Sequence, residues 1–259
     1  MQRSVLYTVL FATAVCIVCA VIVSSSAVSL KEQQVVNETL DKQKNVLYAA
    51  GLLDPELKVT TEEVERRFET VEMKVIDLES GLEVPEIDPH TFDQSREKMS
   101  PDSSHPAPDN PSRIKRLPNH ALVYEVKGSN GELEGVVLPI EGYGLWGTLY
   151  GFLALDSDLD TVRGITFYEH KETPGLGGEV DNPNWKAKWP GREIYGDDGE
   201  PKLSVIKGAA GPPSEEPYEV DGLSGATITS RGVTNMIHFW LGENGFKPFL
   251  NHLSNGEAT

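Results

Sequence analysis

The stretch DGLSGATITS, residues 221–230, joins a glycine-rich turn to the start of a helix. Besides two glycines and one alanine it contains four hydroxyl side chains: Ser224, Thr227, Thr229 and Ser230. The residues that follow place apolar side chains at the three-, four- and seven-residue spacings of a one-faced helix: Val233, Met236, Ile237, Trp240 and Leu241. The pattern therefore predicts a tight turn that brings Thr229 or Ser230 to the N-terminal end of a helix.

The chemistry of this hydroxyl-rich turn allows two interpretations. The N-terminal end of a helix has free backbone N–H groups and the positive end of the helix dipole, and both favour a bound phosphate. Hydroxyl residues also serve very often as simple N-caps, which is the more frequent use on chemistry alone. The rest of the chain has to decide between these interpretations.

An uncharged apolar run, Val5–Val23, lies near the N-terminus. It approaches the length of about 20 residues that crosses a bilayer as a helix. Arg3 precedes the run and Lys31 is the first charge after it, so the positive-inside rule predicts a cytoplasmic N-terminus and an exported remainder. A cleaved signal peptide is the alternative, because SSA at 25–27 resembles a cleavage site. The length of the run favours an uncleaved anchor over residues 1–29.

Composition argues against several functional classes. The formal net charge of −17 argues against a nucleic-acid partner, because binding to a polyphosphate needs Lys and Arg. The two cysteines, Cys16 and Cys19, lie in the apolar run, and we interpret them as small membrane residues rather than as a redox or metal site. The six histidines show no metal-site spacing, and no catalytic triad or Walker A sequence is visible.

After the anchor the sequence divides into two parts. Residues 30–118 are expected to form a helical stalk at 30–50, a small extracytoplasmic segment with a short helix at 60–70, and a Pro-rich linker at 82–118 that contains no regular element. In residues 119–259 strands are expected at 121–126, 135–140, 149–155, 162–170 and 202–208, and helices at 182–189, 230–241 and 246–253. Asn130-Gly131 is the expected hairpin turn between the first two strands. This mixture predicts an α+β domain with a mixed β-sheet and flanking helices, preceded by one transmembrane helix.

The loop GYGLWG, residues 142–147, satisfies the pattern G-x-G-x-x-G. A β-rich segment follows it, whereas a dinucleotide-binding fingerprint requires a helix at that point. The bulky Trp146 also lies where a pyrophosphate would have to approach. We therefore interpret the glycines as a backbone that presents Leu145 and Trp146 to a flat partner.

A second loop, HKETPGLGGE at residues 170–179, contains one proline and three glycines. Glycines let the backbone approach a ligand closely. Glu172, Thr173 and backbone amides could hydrogen-bond the polar edge of an aromatic ring. A purely structural turn would explain the same residues equally well.

Five segments together resemble the C subunit of the sodium-translocating NADH:quinone reductases of bacteria. They are GYGLWG at 142–147, EHKETPGLGGEVDNPNWKAKWPG at 169–191, the lysine of VIKG at 205–208, VDGLSGATITSRGV at 220–233 and FWLGENGFKPFL at 239–250. The resemblance covers nearly the whole chain and is dense from Gly142 to Leu250. The shared portion is the FMN-binding domain, which also occurs in the G subunit of a related electron-transport complex and in regulators of nitrous-oxide respiration.

This resemblance implies one covalently bound FMN. The pattern S-G-A-[ST]-x-[ST] is the flavinylation motif of these families, and its last hydroxyl, here that of Thr229, carries FMN through a phosphoester bond. The turn would be shaped by the residues before it: Ser224, Gly225, Ala226 and Thr227. The flavin ring would lie against a group that includes Leu145, Trp146, Glu172, Thr173, Gly175 and Leu176. Lys207 would face a flavin carbonyl or the ring N1, although a solvated strand-end lysine is the structural alternative.

The resemblance also implies partners and a location. A flavin transferase would install the FMN portion of FAD, and the chain would carry electrons within a complex of six subunits. That complex lies in the bacterial inner membrane, and the C-terminal domain would face the periplasm. In the family, NADH oxidation, the iron–sulfur relay and sodium passage belong to other subunits, so neither a catalytic residue nor a metal site is expected here. Two alternatives stay open, the G subunit of the related complex and a non-catalytic flavin-binding sensory module.

Overall fold

The structure is a computed structural model that describes residues 5–54 and 57–256, and the chain divides into two units, Met1–Lys42 and Gln43–Thr259. Helix α1, Val5–Ala49, is continuous over 45 residues, so the expected anchor and stalk form a single helix. An 18-residue window within it has a mean hydropathy of 2.7, and none of that window is buried. By length and composition, α1 is the one helix of the described residues that could cross a membrane. Arg3, on which the expected orientation depends, lies outside the described residues.

The described part of the second unit contains nine strands: β1 (Val71–Asp77), β2 (Ser104–Pro106), β3 (Arg116–Pro118), β4 (His120–Lys127), β5 (Leu133–Tyr143), β6 (Thr148–Asp156), β7 (Val162–Glu169), β8 (Ser204–Val205) and β9 (Glu219–Val220). Five of them form an antiparallel sheet in the order β1-β4-β5-β6-β7. The strands β2 and β3 form a separate antiparallel pair, and β8 and β9 a parallel pair. The predicted α+β class is confirmed, with parallel and antiparallel pairing in different sheets.

Helices lie before, between and after these strands. Their bounds are α2 (Thr61–Phe68), α3 (Gln94–Met99), α4 (Pro183–Lys186), α5 (Thr227–Trp240) and α6 (Lys247–Ser254), and Gly177–Asp181 is a 3₁₀ helix. The expected short helix at 60–70 is confirmed as α2, whose N-cap Thr60 accepts the N–H of Glu63 through its hydroxyl. Helix α5 begins at Thr227 instead of Ser230, so it includes the last four residues of the DGLSGATITS stretch.

The first four of the five strands predicted after residue 119 are confirmed as β4 to β7, and so is the first hairpin turn. Gly131, between β4 and β5, has a φ of +81° and donates its N–H to the carbonyl of Gly128. The GYGLWG loop closes the next hairpin, where the N–H of Gly144 donates to the carbonyl of Gly147 at 2.8 Å. Because strand β6 follows this loop, it is a β-hairpin loop and not a dinucleotide-binding turn. The strand expected at 202–208 is reduced to the two residues of β8.

The compact unit begins at Gln43, well before residue 119, where the FMN-binding domain was expected to start. Strand β1 is the main reason for this earlier start. It pairs with β4, with Val71 opposite Val126, and is therefore an edge strand of the same five-stranded sheet. The last turn of α1 is buried as well, and the carbonyl of Asn45 accepts a hydrogen bond from the hydroxyl of Thr166 at 3.1 Å. Residues 43–118 therefore share one compact body with the part that follows.

The expectation that residues 82–118 lack regular elements is wrong, since α3, β2 and β3 all lie there. Ile114 and Leu117 are buried in the main hydrophobic core. The amide of Asn110 donates to the carbonyls of Pro108 and Ile114, and its oxygen accepts the N–H of Ile114. These local side-chain-to-backbone bonds order the loop between β2 and β3, which a composition rich in Pro, Asp and Ser does not reveal.

Helix α5 packs very closely against the end of β5. A Cβ atom on Gly232 would lie 2.5 Å from the carbonyl oxygen of Tyr143 and 3.1 Å from the Cα of Gly144. Farther along the helix, Nε1 of Trp240 donates to the carbonyl of Glu141 at 2.7 Å. The missing side chain at Gly232 thus allows the first turns of α5 to lie beside the loop after β5.

Candidate functional site

The first turn of α5 leaves its backbone N–H groups available. Ala226 is the N-cap and makes no side-chain capping bond, so the interpretation of this turn as an ordinary hydroxyl N-cap is wrong. The first intrahelical bond runs from the N–H of Ser230 to the carbonyl of Ala226 at 3.0 Å. The N–H groups of Thr227, Ile228 and Thr229 precede that bond and have no intrahelical acceptor, which makes this helix end electropositive.

Thr229 and Glu172 form the centre of the site. Thr229 has no exposed surface, and its hydroxyl donates a hydrogen bond of 2.5 Å to Oε2 of Glu172. The other carboxylate oxygen, Oε1, accepts the backbone N–H groups of Leu145 and Trp146, each at 2.9 Å. Glu172 was expected to face the edge of an aromatic ring, but here its two oxygens connect α5 to the GYGLWG loop.

Two glycines make room for this carboxylate. A Cβ atom on Gly144 would lie 2.6 Å from Oε1 of Glu172. A Cβ atom on Gly177 would lie 2.4 Å from Oε2 of Glu172 and 2.6 Å from the hydroxyl oxygen of Thr229. Any side chain at either position would displace the carboxylate or the hydroxyl. The glycines of both loops therefore form a niche around the Glu172–Thr229 pair.

His170 and Asp181 support Glu172 from behind, a contribution that the sequence analysis missed. The N–H of Glu172 donates to Nδ1 of His170 at 3.1 Å. Since Nδ1 accepts, the ring proton is on Nε2, which donates to Asp181 at 2.7 Å. These two residues lie in the HKETPGLGGE segment or just after it, but nothing in their spacing predicted the pairing.

The turn at residues 173–178 covers the niche. The carbonyl of Thr173 accepts the N–H groups of Leu176 at 3.1 Å and Gly178 at 2.9 Å, and the Thr173 side chain is exposed. Gly175 has a φ of +75°, a left-handed conformation that this turn requires and glycine adopts without strain. Leu176 lies against the DGLSGATITS turn, since its Cδ2 is 3.0 Å from the position of a Cβ on Gly225.

Lys207 belongs to a neighbouring cavity and not to the hydrogen-bonded group around Thr229. The cavity has a volume of about 650 Å³. Its lining includes the cations Lys207 and Arg231 and part of the expected turn: Ser224, Gly225 and Thr227. Of the expected site residues, Leu145, Trp146, Glu172, Leu176 and Thr229 thus come together on one side, and Lys207 with the turn residues lines the cavity beside them.

Asp221 fixes the beginning of the turn. Its carboxylate accepts hydrogen bonds from Lys188 at 2.6 Å and from the N–H of Ala210 at 3.1 Å, and its carbonyl accepts Nε1 of Trp185. Burial alone would raise the pKa of Asp221, but the hydrogen bonds from Lys188 and Ala210 outweigh burial and lower that pKa. The carboxylate is therefore the form that holds the turn against the 183–189 region.

Four apolar side chains around the niche remain open to solvent. The exposed fractions are 41% for Leu145, 64% for Trp146, 45% for Leu176 and 54% for Ile228. Exposed apolar side chains that surround a polar, buried hydroxyl are suited to the face of a planar aromatic ligand. Leu145 and Trp146 are thus exposed on the GYGLWG loop, and the flat partner to which the loop was expected to present them stays a prediction.

The sequence is similar to those of known proteins. A family model described as the FMN-binding domain matches residues 144–242. The C subunit of the Na(+)-translocating NADH-quinone reductase of Yersinia pestis is 47% identical over 253 residues, which cover 96% of this chain and 93% of that protein. The protein of the same name from Pseudomonas aeruginosa is 46% identical over an alignment of 261 positions, which covers 99% of this chain and 99% of that protein.

Solved structures give the same assignment. The crystal structure of Shewanella oneidensis NqrC matches with a TM-score of 0.77 and 33% identity, over 85% of this chain and 99% of that chain. The crystal structure of the C subunit of the Na(+)-translocating NADH-quinone reductase from Parabacteroides distasonis matches with a TM-score of 0.64 and 29% identity, over 85% of this chain and 96% of that chain. The similar sequences and the similar structures therefore come from the same kind of subunit in different bacteria.

The domain match and the apolar helix α1 define the class, a membrane-anchored protein with an FMN-binding domain. Within that class, the chain belongs to the family formed by the C subunits of the Na(+)-translocating NADH-quinone reductases. It is accordingly a flavoprotein subunit of an oxidoreductase complex, and the relatives do not favour the G-subunit alternative.

The residues present fit FMN. The cavity volume of about 650 Å³ lies within the range of roughly 300–1,000 Å³ that is usual for ligand pockets. Lys207 and Arg231 supply positive charge for a phosphate or a reduced ring, and the free N–H groups of α5 favour an anion next to Thr229. The exposed side chains of Leu145 and Trp146 supply apolar surface for the ring.

Proposed function

We propose that this chain carries one FMN through a phosphoester bond to the hydroxyl of Thr229 and uses it to relay single electrons within the sodium-translocating NADH:quinone reductase. The cofactor supplies the one-electron chemistry when bound, and the protein supplies its attachment, orientation and electrostatic surroundings. The electron donor and acceptor are other members of a complex of six subunits. A flavin transferase installs the FMN portion of FAD.

The position of Thr229 is the observation that supports this proposal best. Its hydroxyl lies in the first turn of α5, where the helix end stabilises the negative charge of a phosphodiester by about 0.3–1 kcal/mol. The same hydroxyl donates to Glu172, whose other carboxylate oxygen accepts the backbone N–H groups of the exposed apolar residues Leu145 and Trp146. Thr173 and Gly175 shape the cover of the site, and Lys207 is placed to tune the flavin from the adjoining cavity.

In this proposal the chain crosses the bacterial inner membrane once and has its flavin domain in the periplasm. Helix α1 supplies the anchor, and the acidic domain that follows is suited to an aqueous compartment. A membrane anchor also agrees with the family relatives, since those are named as subunits of an ion-translocating enzyme.

The attachment site is tested with the full-length chain, produced together with a flavin transferase. Peptide mass spectrometry is expected to find FMN on Thr229, and Thr229→Ser is expected to keep in-gel flavin fluorescence because it keeps a hydroxyl. Thr229→Ala is expected to lose that fluorescence and, in the assembled complex, NADH-driven quinone reduction. Thermal unfolding serves as the folding control, because removal of the hydroxyl leaves Glu172 short of one donor. Unchanged fluorescence of a folded Thr229→Ala variant would contradict the site.

A further inference from the structure

We propose that Glu172 is the proton acceptor for Thr229 when the flavin is attached, so that the acceptor protein supplies a catalytic residue to its own modification. This inference rests on the proposed function, since it concerns the same hydroxyl. It goes beyond that function because it makes Glu172 the base of the attachment reaction and not only a hydrogen-bond partner of Thr229.

The geometry already has the form of a nucleophile and its base. A threonine hydroxyl is a weak nucleophile, and an adjacent group within about 2.6–3.2 Å that takes its proton activates it. The only proton on the Thr229 hydroxyl is directed at Oε2 of Glu172 over 2.5 Å. Both residues are buried, so water does not compete for this hydrogen bond.

The other oxygen of Glu172 holds the base in place. Oε1 accepts two backbone N–H groups, those of Leu145 and Trp146, in the loop after β5. Thr229 lies in α5, so the carboxylate bridges two separate elements. Gly144 and Gly177 leave the space that the carboxylate fills, and no larger residue would fit there. Because the niche fits the carboxylate so closely, Oε2 of Glu172 is held next to the hydroxyl oxygen of Thr229.

The cover over the hydroxyl has to open before the reaction. Thr229 has no exposed surface, and Gly177 lies against its hydroxyl. The turn at 173–176 is exposed and adjoins Gly177, and in this proposal it moves outward to open the cover. Glu172 is anchored on Leu145 and Trp146 instead of on that turn, so its carboxylate stays beside Thr229 when the turn moves.

The step balances as a phosphoryl-group transfer from a flavin dinucleotide. Oγ1 of Thr229 attacks the phosphorus next to the riboflavin part, so that an O–P bond forms and the phosphoanhydride bond to the nucleotide half breaks. Thr229 loses its proton to Oε2 of Glu172, and the carboxylic acid then returns that proton to water. The bond electrons leave with the nucleoside monophosphate, and nothing is oxidised or reduced.

Two variants of Glu172 distinguish a side chain that accepts the proton of Thr229 from one that only fills the space and binds the backbone. Glu172→Gln keeps the length of the side chain and the acceptor for Leu145 and Trp146, but it cannot take a proton. Glu172→Asp keeps the carboxylate and is one methylene shorter. If Glu172 accepts the proton, the Asp variant will react faster than the Gln variant. If Glu172 only holds the GYGLWG loop and helix α5 at the right distance, the Gln variant will react faster.

The experiment measures the initial rate of flavin incorporation into unmodified full-length chain, with purified flavin transferase and FAD, by in-gel fluorescence and intact mass. The Gln variant is expected to lose about 10²–10⁴-fold in rate, the usual contribution of a general base. Thermal unfolding of the variants shows that the comparison is made between folded proteins. A Gln variant that reacts within about tenfold of the wild type, or faster than the Asp variant, would overturn the role of Glu172. A wild-type chain that takes no FMN at Thr229 would instead overturn the proposed function itself.

Discussion

Glu172 and Thr229, separated by 57 residues in the chain, share a buried hydrogen bond of 2.5 Å. One residue follows strand β7 and the other lies in the first turn of α5, so the bond links the sheet to the helix that carries the proposed flavin-attachment site. In the proposed attachment, a phosphoryl group would replace the only hydrogen of the Thr229 hydroxyl, and this bond would be lost. The unmodified and modified proteins would then differ at Glu172.

Gly177→Ala should damage the site without removing any functional group. The new Cβ would lie 2.4 Å from Oε2 of Glu172 and 2.6 Å from the hydroxyl of Thr229, so the two cannot keep their hydrogen bond. We expect a loss of about 1–3 kcal/mol in the free energy of unfolding and a clear decrease in flavin incorporation. Thermal unfolding and in-gel fluorescence measure the two effects.

Gly147→Ala is the matched control for this prediction. It adds the same methyl group to the neighbouring loop, where the nearest atoms are side-chain carbons of Lys171 at 3.4 to 3.6 Å, an ordinary contact distance. Flavin incorporation near the wild-type level is expected for this variant. If Gly147→Ala decreases flavin incorporation as much as Gly177→Ala does, the close fit around Glu172 is not the cause of the decrease.

Asp221→Asn should weaken the protein at neutral pH and have less effect in acid. The lowered pKa of Asp221 means that its carboxylate stabilises the fold above the ordinary pKa of about 3.9 and that this contribution is lost as the pH falls through the folded-state pKa. At pH 7 the variant is expected to lose about 1.5–3 kcal/mol, the usual value for hydrogen bonds to a charged group. Urea unfolding at pH 7 and below pH 4 tests this, with the exposed Asp102→Asn as control. A difference between variant and wild type that does not shrink in acid would contradict it.

Parts of this fold could be predicted from the sequence because they depend on local pattern. The strands β4 to β7 follow alternation and apolar runs, the Asn130-Gly131 turn follows from backbone preference, and α5 follows its apolar periodicity. The pairing of Val71 with Val126 and that of Glu172 with Thr229 could not be predicted, because a periodic pattern shows which face is buried and not which partner covers it. The elements of residues 82–118 are only three to six residues long, too short for periodicity to indicate.

The site shows the same limit. The turn pattern indicated Thr229 or Ser230, and the family motif selected Thr229. The Gly-rich loops indicated Leu145, Trp146 and Glu172 as neighbours. The environment of Glu172 depended on contacts with Gly177 and His170 that have no sequence signature. Glycines in the loops were predicted to serve a ligand, whereas Gly144 and Gly177 make room for a carboxylate of the protein itself.

Gly232→Ala should destabilise the protein even though alanine normally favours a helix. In a helix interior this substitution usually gains about 1 kcal/mol. Here the new Cβ would lie 2.5 Å from the carbonyl oxygen of Tyr143, a backbone atom that cannot rotate away. We expect a net loss of about 1–3 kcal/mol, measured by urea unfolding, as α5 is pushed from β5. An increase in stability would show that the close approach of helix and strand is absent in solution.

Lys207→Met should lower the midpoint potential of the bound flavin. Lys207 lines the cavity, and beside the flavin its positive charge would stabilise the reduced, anionic ring more than the oxidised one, so that its removal would favour the oxidised form. We expect a shift on the order of tens of millivolts, where about 30 mV corresponds to 1.4 kcal/mol for two electrons. Spectroelectrochemistry of the flavinylated protein measures it, and Lys202→Met, five residues away and paired with Asp198, is the control. An unchanged potential would mean that Lys207 is a solvated lysine without a role in tuning.

The orientation of the chain in the membrane can be tested by fusion. If the N-terminus is cytoplasmic and α1 crosses the membrane once, a reporter enzyme that folds only in an oxidising compartment will be active when it is fused after Thr259. The same reporter fused before Met1 is expected to be inactive, because that end stays in the reducing cytoplasm. Cys16 and Cys19 are the only cysteines of the chain and both lie in α1, so no disulfide of the domain itself would interfere with the assay. Activity of the N-terminal fusion together with inactivity of the C-terminal fusion would place the flavin domain in the cytoplasm and require a different set of electron-transfer partners.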